Sequence, residues 1–346
     1  MPQFVRVALG CAAIATAAIA LAQQPATGSA EKPWVPPGTP GSPIDGTLFH
    51  AQVLLDMAGF SPGVIDGRQG SSMAKAIKGF QQAHGLEASG KLDEETRRAL
   101  LADSRPSTIM VKLSREQVAG PFVYPFPKKP EAQAKLPAMS YRNMLEKVAE
   151  AYHTTPRAIV ALNGPEKLIG PGQVLRLPNV VPKSADYNVH GKDEMMPWMQ
   201  LLNVDTSLPK GDHVVVDKSE GLLKVMDESN RMVAQFPVTT GSGHDPLPLG
   251  TWKATTYSFL PPFNFQPDLF WDVSDEKDEQ RLPPGPNGPV GLAWLDLTKE
   301  HYGIHGTPEP QTIGKTQSHG CLRMTNWDVL RLSQMLKPGF KAVFQA

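Results

Sequence analysis

The stretch from Tyr302 to Asp328, YGIHGTPEPQTIGKTQSHGCLRMTNWD, places His305 upstream of Cys321 and gives each of them a glycine neighbour. A thiol attacks as the thiolate, and a nearby imidazole is the usual acceptor of its proton near neutral pH. The glycine before the cysteine lets a substrate approach backbone N–H groups, which can stabilise the oxyanion of an acyl-transfer reaction. The stretch therefore predicts a thiol nucleophile with an imidazole base.

The residues around this pair resemble the signature of the L,D-transpeptidase (YkuD-type) family, which is His-Gly followed by Ser/Thr-x-Gly-Cys-x-Arg. We assign Cys321 as the nucleophile and His305 as the base that takes its proton and returns it to the leaving amine. His319 is the rival base, or it orients the loop or His305 through a hydrogen bond. The third member of a catalytic triad is then either a backbone carbonyl or the His319 imidazole, and the sequence leaves both open.

Further residues of the stretch are candidates for binding the oxyanion or the substrate: Gly320, Ser318, Arg323 and Gly306. The oxyanion-hole candidates are the N–H groups of Cys321 and of Gly320 or His319. Arg323 is either the partner of a substrate carboxylate or a clamp on the catalytic loop.

No metal or other cofactor is expected. The sequence has no HExxH motif and no pair of neighbouring cysteines. His305, His319 and Cys321 could supply three zinc ligands, but a thiolate bound to zinc would lose its nucleophilicity.

The charge composition of the chain limits which classes of binding partner are expected. The chain has 346 residues, with 34 basic and 34 acidic side chains and a formal net charge of zero. That balance gives no electrostatic reason to expect nucleic acid or an anionic membrane as a partner. A chain of this length predicts two or three domains.

The amino terminus has the pattern of a secretory signal peptide. Arg6 precedes an apolar run from Val7 to Leu21, which ends in an A-x-A site closed by Ala22. An uncleaved anchor is the alternative, although the run is shorter than the roughly 20 residues that a membrane span needs. Cleavage would remove Cys11 and leave Cys321 as the only cysteine, either free for chemistry or paired with another chain. We therefore expect a periplasmic, wall-associated protein.

Shifts in composition divide the chain into segments. They are a signal peptide (1–22), a Pro-rich linker (23–43), a helical domain (44–102), a connector (103–138), a small module (139–181), a linker (182–209) and the catalytic domain (210–346). The expected fold class is a multidomain α+β protein with a three-helix bundle, a small βααβ module and a mainly-β, sandwich-like catalytic domain. The Pro-rich links are expected to act as spacers, so that region 44–181 targets the enzyme without completing its active site.

Residues 44–102 look like the three-helix peptidoglycan-binding domain, on the pieces Asp66-Gly67, Phe80-Gln81-Gln82, Gly85-Leu86, Gly90 and Asp93-x-x-Thr96. Three helices are expected, with Ser71 or Ser72 capping the second and Asp93 capping the third. A three-helix spacer without a ligand is the alternative.

Residues 139–181 resemble a LysM module, a glycan-binding βααβ fold, in the order Leu-x-x-Val-Ala-x-x-Tyr, Asn163, then Pro-Gly-Gln-x-Leu-x-Leu-Pro. The usual first strand is missing, since Ser140-Tyr141-Arg142 stands in its place. Glycan binding and a purely structural role therefore both remain open. A strand is expected in the connector, where Ile109, Val111 and Leu113 alternate with polar or exposed positions.

Short β-type runs separated by turns predict the sheet of the catalytic domain. Residues 256–296 are long, Pro-rich and aromatic, and because a loop of that length inside a domain is usually functional, we expect a flap over the site. Asn326 is expected to cap a final helix. Three other histidines are expected at the surface: His213, His244 and His301.

The resemblance implies an acyltransferase that works through a thioacyl enzyme. Cys321 would attack the carbonyl of the third, diamino acid residue of a peptidoglycan tetrapeptide stem and release D-Ala. An amine of another stem then gives a 3→3 cross-link, a lysine of an outer-membrane lipoprotein gives a protein–wall tether, and water gives L,D-carboxypeptidase activity. The alternatives are a hydrolase that cleaves wall attachments with the same nucleophile and a non-catalytic murein-binding protein. Stem peptides and glycan are the expected partners.

Overall fold

The computed structural model describes residues 34–37, 39–269 and 278–346, so the expected signal peptide lies outside the described residues. Among these residues, the helices are Gly46–Met57 (α1), Ser71–Ala83 (α2), Glu94–Leu100 (α3), Arg115–Val118 (α4), Pro130–Gln133 (α5), Met144–Ala151 (α6), Pro156–Asn163 (α7), Met196–Leu201 (α8) and Asn326–Met335 (α9). None of these helices is long and apolar enough to cross a membrane.

The strands of the described residues are Thr108–Lys112 (β1), Val174–Pro178 (β2), His213–Asp217 (β3), Leu222–Met226 (β4), Met232–Pro237 (β5), Gly250–Phe259 (β6), Phe263–Phe265 (β7), Gln280–Leu282 (β8), Ala293–Leu297 (β9), Gly303–His305 (β10), Leu322–Arg323 (β11) and Lys341–Gln345 (β12). Eight of them form one sheet, and the other four form two separate pairs.

The three helices expected in residues 44–102 are present as α1, α2 and α3, and they bury a shared apolar cluster. Asp93 caps α3 as predicted, since its side chain accepts the Thr96 N–H at 2.8 Å. The predicted serine cap of α2 is wrong. Gly70 occupies the N-cap position without a side-chain hydrogen bond, and Ser71 is already the first helical residue.

The connector supplies the first strand that residues 139–142 lack. β1 pairs antiparallel with β2, with Ile109 opposite Leu177 and Val111 opposite Leu175. α6 and α7 lie between these strands in sequence, and side chains from all four elements pack in one apolar cluster. The strand expected in the connector is therefore confirmed, while the identification of this region as a LysM module stays a prediction.

The eight-stranded sheet that carries the candidate catalytic residues has the order β11-β10-β9-β6-β12-β3-β4-β5. β6 joins its two halves, because residues 250–253 pair with β12 and residues 254–259 pair with β9. The register shifts between Ala254 and Tyr257, and an irregularity of this kind bends a strand and increases its twist. The strands predicted as a sandwich thus form one continuous sheet that bends through β6.

The segment 182–209, predicted as an irregular link, packs into the core of this sheet. Its fully buried apolar side chains are Met195, Met199, Leu202 and Val204. Residues Trp34–Ala346 accordingly form one compact unit, which differs from the spacer-like links expected from the prolines. Proline limits hydrogen bonding at its own position, but its neighbours remain able to bury their side chains. The predicted domain bounds stay a prediction.

The expected flap, residues 256–296, contains regular structure over much of its length. β6 extends through Phe259, β7 pairs antiparallel with β8, and β9 begins at Ala293. The turn before β9 is anchored upstream, since Met139 donates its N–H to the Pro284 carbonyl and accepts the Asn287 N–H, both at 2.9 Å. Its role as a flap stays a prediction.

Candidate active site

Two short parallel strands bring the candidate base and nucleophile to the same face of the sheet. β10 pairs with β11 so that Ile304 lies opposite Leu322 and His305 lies opposite Arg323. Side chains alternate along a strand. His305, Arg323 and Cys321 therefore share one face, whereas Ile304 and Leu322 are fully buried on the other. The sheet register closes the sequence gap between the two catalytic candidates.

His305 is a neutral imidazole, and one of its two ring nitrogens is hydrogen-bonded to the backbone. Its side chain is only 4% exposed, and its Nδ1 lies 2.7 Å from the Gly306 carbonyl oxygen. Because a carbonyl can only accept, Nδ1 carries the proton and Nε2 keeps its lone pair. The Trp294 ring stacks on the imidazole, with centroids 5.4 Å apart. Burial, followed by the positive charge of Arg323, lowers the pKa of His305 to about 3.

The Cys321 thiol is also neutral at rest. Its Sγ lies 3.5 Å from the His301 carbonyl oxygen, as a donor. Burial raises the pKa of the thiol, although a backbone hydrogen bond from Gly303 and the charge of Arg323 oppose that rise. Within the described residues no hydrogen bond joins Sγ directly to His305. Such contacts often tighten only when substrate binds.

The turn before the cysteine is fixed by Ser318. The serine is buried, and its Oγ donates to the Cys321 carbonyl at 2.7 Å. Its own N–H donates to the Thr240 carbonyl at 3.1 Å. Ser318 therefore closes the turn onto itself and attaches it to the strand region before Gly241.

Gly320 is required for two reasons. Its φ of +102° lies in the region that side chains rarely adopt. A Cβ at this position would also lie 2.6 Å from the Tyr302 ring. The close approach of Tyr302 to the turn therefore depends on a residue without a side chain.

Thr239 is hydrogen-bonded to β11, the strand that follows the nucleophile. Thr239 and Arg323 exchange two backbone hydrogen bonds, both 3.0 Å long. The Thr239 Oγ1 also accepts the Gly314 N–H at 2.9 Å, which holds the loop between His305 and Cys321. Thr239 thus supports the catalytic loop from one side.

Gly306 and Asn326 form the support beneath His305. A side chain at Gly306 would overlap the Asn326 Oδ1, and that oxygen accepts the Leu292 N–H at 3.0 Å. The predicted cap of the final helix is wrong, because Thr325 caps α9 by accepting the Asp328 N–H at 3.2 Å. Asn326 is the first helical residue instead, and its side chain is free to face the site.

Arg323 lies half-buried beside the thiol. Burial lowers the pKa of its guanidinium, while the Cys321 thiol and the Glu309 carboxylate oppose that shift. Among the described residues no hydrogen bond or ion pair engages this guanidinium, so the loop-clamp role has no contact to support it. His319 is half-buried on the turn, and the group at Nδ1 of His305 is the Gly306 carbonyl and not the His319 imidazole.

Sequence reasoning missed several groups of this site. The carbonyl of His301 contacts the thiol, and burial, then the thiol, raises the pKa of Tyr302. These residues adjoin the motif, but backbone contacts and ring packing leave no sequence signal. The surface placement expected for His213 is wrong, since it is buried in β3 with Nδ1 2.9 Å from Asp212. The described residues contain no group of three or more His, Cys, Asp or Glu placed to hold a metal ion.

Comparison with known proteins gives matches in two parts of the chain. The family model of the L,D-transpeptidase catalytic domain (YkuD) matches residues 211–344. A second family model, "Putative peptidoglycan binding domain", matches residues 49–100.

Individual relatives carry the same names. "Putative L,D-transpeptidase YkuD" of Bacillus licheniformis is 55% identical over 56 residues, which are 16% of this chain and 34% of that protein. "Probable L,D-transpeptidase YbiS" of Escherichia coli K12 is 26% identical over 200 residues, 51% of this chain and 65% of the relative. The match to YkuD thus spans about a third of that relative's length.

A solved structure, L,D-transpeptidase 3 from Mycobacterium tuberculosis, aligns with a TM-score of 0.32 at 16% identity, over 38% of this chain and 60% of that one. Residues 211–344 thus match the L,D-transpeptidase catalytic domain of the YkuD family, relatives that match the chain carry the same name, and residues 49–100 match a putative peptidoglycan-binding domain.

Proposed function

We propose that this protein is a cysteine-dependent L,D-transpeptidase that acts on peptidoglycan tetrapeptide stems through a thioacyl enzyme. The observation that carries the proposal is the arrangement of His305, whose Nδ1 is held by a carbonyl while Nε2 stays available on the face that bears Cys321. A neutral imidazole fixed in this tautomer is a base, and the thiol beside it is a nucleophile.

Acylation begins from a neutral pair. As Sγ of Cys321 forms a bond to the carbonyl carbon of the third stem residue, its proton passes to Nε2 of His305. The tetrahedral intermediate then breaks the bond to the D-Ala nitrogen, and the imidazolium returns the proton to that leaving amine. The products are free D-Ala and a thioester. The low pKa of His305 suits this return, because an acidic imidazolium gives up its proton readily.

The oxyanion would be bound by backbone N–H groups of the turn. We assign the N–H of Cys321 together with that of Gly320 or His319, since the Ser318 hydrogen bond to the Cys321 carbonyl holds the turn that carries these groups. Arg323 would bind a carboxylate of the stem. Its guanidinium is half-buried near the thiol, and the described residues leave its donors unused.

Deacylation decides the biological product. An amine of a second stem gives a 3→3 cross-link, a lipoprotein lysine gives a wall tether, and water gives a tripeptide. The peptidoglycan-binding domain at residues 49–100 supports a wall-associated substrate, and a periplasmic location follows if the expected signal peptide operates. A hydrolase with the same nucleophile is the alternative within the enzyme class, and a non-catalytic murein binder is the alternative outside it.

The test uses the full chain with a carbapenem and with purified tetrapeptide muropeptides. Intact-mass spectrometry should find one carbapenem adduct on the wild type and on Cys11→Ala, and none on Cys321→Ala. Muropeptide products should be 3→3 dimers with release of D-Ala. Tripeptide alone would identify a carboxypeptidase. The absence of both adduct and product from folded wild type would overturn the enzymatic proposal in favour of the binder.

A further inference from the structure

The end of α6 contacts the beginning of α9, although the two helices lie far apart in sequence. Glu150 is buried at the end of α6, and its Oε1 accepts the Asn326 Nδ2 donor at 2.8 Å. Three residues later, the His153 ring stacks on Trp327 with centroids 4.9 Å apart and an interplanar angle of 9°. Two side-chain pairs therefore join these helix ends.

The Asn326 amide transmits this contact toward the base. Its Nδ2 donates to Glu150, while its Oδ1 accepts the Leu292 N–H at 3.0 Å. The same Oδ1 lies against the Cα of Gly306, so closely that a Cβ there would overlap it. The carbonyl of Gly306 in turn accepts the Nδ1–H of His305 at 2.7 Å. Four groups thus form a continuous chain from Glu150 to the imidazole.

We propose that Glu150 is a positioning residue for His305, acting through Asn326 and Gly306. An asparagine amide has donors on one side and an acceptor on the other. With Glu150 accepting from Nδ2, Oδ1 must face the Leu292 N–H and the Gly306 backbone. Without Glu150, Nδ2 keeps only the Pro286 carbonyl, at 3.3 Å, as an acceptor. Rotation of the amide, which would set its NH₂ group against the Leu292 donor, then becomes easier. The Gly306 peptide would then lose its support, and with it the fixed position of the imidazole.

The contact needs an acceptor oxygen and not a charge. Burial raises the pKa of Glu150 to about 7, against the hydrogen bond from Asn326 that lowers it, and the Glu146 carboxylate adds to the rise. Either protonation state retains an oxygen that can accept from Asn326. Glu150→Gln is therefore the conservative variant, and Glu150→Leu removes the acceptor while filling similar space. The role assigned to His305 rests on the proposed function.

The test compares these two variants in the full chain with a matched control on the same helix. Lys147 lies about one turn before Glu150 on α6 and donates to the Glu116 and Ala119 carbonyls, each at 2.8 Å, so Lys147→Met removes two hydrogen bonds that do not involve α9. The first measurement is the rate of acylation by a carbapenem across pH. The second is the ¹⁵N spectrum of the histidine rings, with His305 assigned by its loss in His305→Gln.

Glu150→Leu should slow acylation by about tenfold to a hundredfold, because small displacements of catalytic groups have effects of that size. The His305 signals should move away from the Nδ1–H tautomer, and the acid limb of the pH profile should move with them. Glu150→Gln and Lys147→Met should stay within about twofold of wild type, by the same reasoning on displacement, with unchanged His305 signals.

Slower acylation or lower stability of Glu150→Leu with unchanged His305 signals and an unchanged pH profile would overturn the proposal, since a merely structural role gives that result. A normal rate in Glu150→Leu would also overturn it. If Glu150→Leu does not fold, Glu150→Asp serves the same test, because it withdraws the carboxylate by one methylene. A wild type that no carbapenem acylates, but whose His305 signals still respond to Glu150, would reject the proposed function and keep the positioning role.

Discussion

Two buried histidines, His153 and His305, differ in what their ring nitrogens contact. For His153, Nε2 donates to the Leu202 carbonyl at 2.7 Å, and Nδ1 lies 2.9 Å from the Asp56 carboxylate. For His305, Nδ1 donates to Gly306, and no group of the described chain contacts Nε2 by hydrogen bond. Burial lowers the pKa of both rings. Burial and a lowered pKa are therefore common to both histidines. What distinguishes the candidate base, His305, is that its Nε2 has no hydrogen bond from the described chain.

The surroundings of His153 form a buried polar cluster that ties α9 to upstream residues. Arg331 donates to both oxygens of Asp56 at 2.9 and 2.7 Å, and lies 3.5 Å from Asp328. Ser61 also donates to Asp328, at 2.8 Å. Burial alone would raise the pKa of Asp56, yet Arg331 and His153 hold it below its usual value. The charged groups of this cluster are paired and serve the fold, although Arg331 Nε and Trp327 Nε1 have no hydrogen-bond partner among the described residues. In the catalytic region, by contrast, the base itself has a ring nitrogen without a hydrogen bond from the described chain.

Removing the upstream region should have the largest effect, because it takes Asp56, Ser61 and His153 away from the buried polar cluster at once. A fragment that starts at Lys210 would expose Trp327, Asp328 and Arg331, all fully buried in the protein. We expect it to lose cooperative thermal unfolding and to react with no carbapenem, contrary to the independence expected from the sequence. A fragment that starts at Trp34 is the control and should match the full chain. A folded Lys210 fragment that acylates at the wild-type rate would contradict the role given to the cluster.

Substitution of His305, whose Nε2 is available to the thiol, should lower the acylation rate without affecting the fold. His305→Ala should slow acylation by about 10²–10⁴-fold, the usual value of general-base assistance, with a melting temperature close to that of wild type. His319→Ala should have a milder effect, since an orienting hydrogen bond is the most that we assign to it. Stopped-flow acylation measures both variants. The reverse ranking in folded proteins would make His319 the base.

Substitution inside the buried polar cluster should have the opposite effect, lowering stability while leaving the acylation rate of the folded protein unchanged. Arg331→Met leaves two carboxylates buried without their cation, which typically costs about 3–5 kcal/mol of unfolding free energy. Urea unfolding measures the loss, and the folded fraction should acylate at the normal rate. The matched control adds Asp56→Asn and Asp328→Asn to Arg331→Met, and it should recover much of the stability because no unpaired charge remains. A slow rate in folded Arg331→Met would show that the two regions are not separate in function.

The contrast between these regions also explains what the sequence could predict. Asp93 caps its helix through Thr96, three residues away, so local pattern is sufficient for this cap. His305 and Cys321 also stand in a local motif, and the roles assigned to them stay predictions. Asp56 and His153, which contact Arg331, lie more than 170 positions upstream of it, and no spacing relates them. Asn326 illustrates the limit within a motif.

The residue type of Asn326 favours a cap, but Thr325 takes that position. The Asn326 amide instead donates a hydrogen bond to Glu150, which lies in another part of the chain. The prolines led to a similar wrong prediction, that residues 182–209 are an irregular link. They mark breaks in secondary structure, whereas the burial of Met195 and Met199 depends on tertiary packing.

The smallest expected effect is a difference in pH response between the two regions. Burial raises the pKa of Asp328 from its usual 3.8 to about 7, against the opposing charge of Arg331. Asp328 therefore binds a proton in the folded protein but not in the unfolded chain between about pH 4 and 7, so its contribution to stability is highest below that window and falls as pH rises through it. Glu150 acts in the same direction, whereas the two buried histidines, whose pKa values are lowered, act in the opposite direction. Asp56 does not contribute there, because its lowered pKa places its effect at more acid pH.

Urea unfolding of the wild type and of Asp328→Asn at pH 4.5, 6 and 7.5 isolates the contribution of Asp328. The stability of the wild type relative to Asp328→Asn should decline across this range by on the order of 1–2 kcal/mol, given about 1.4 kcal/mol per unit of pKa difference and partial compensation by relaxation. The acylation rate of the folded protein should stay nearly constant from pH 5 to 7.5, since the pKa of His305 is about 3 and burial raises that of Cys321. A rate that follows stability through this range would mean that the cluster and the catalytic pair titrate as one unit, and the distinction drawn from their two histidines would fail.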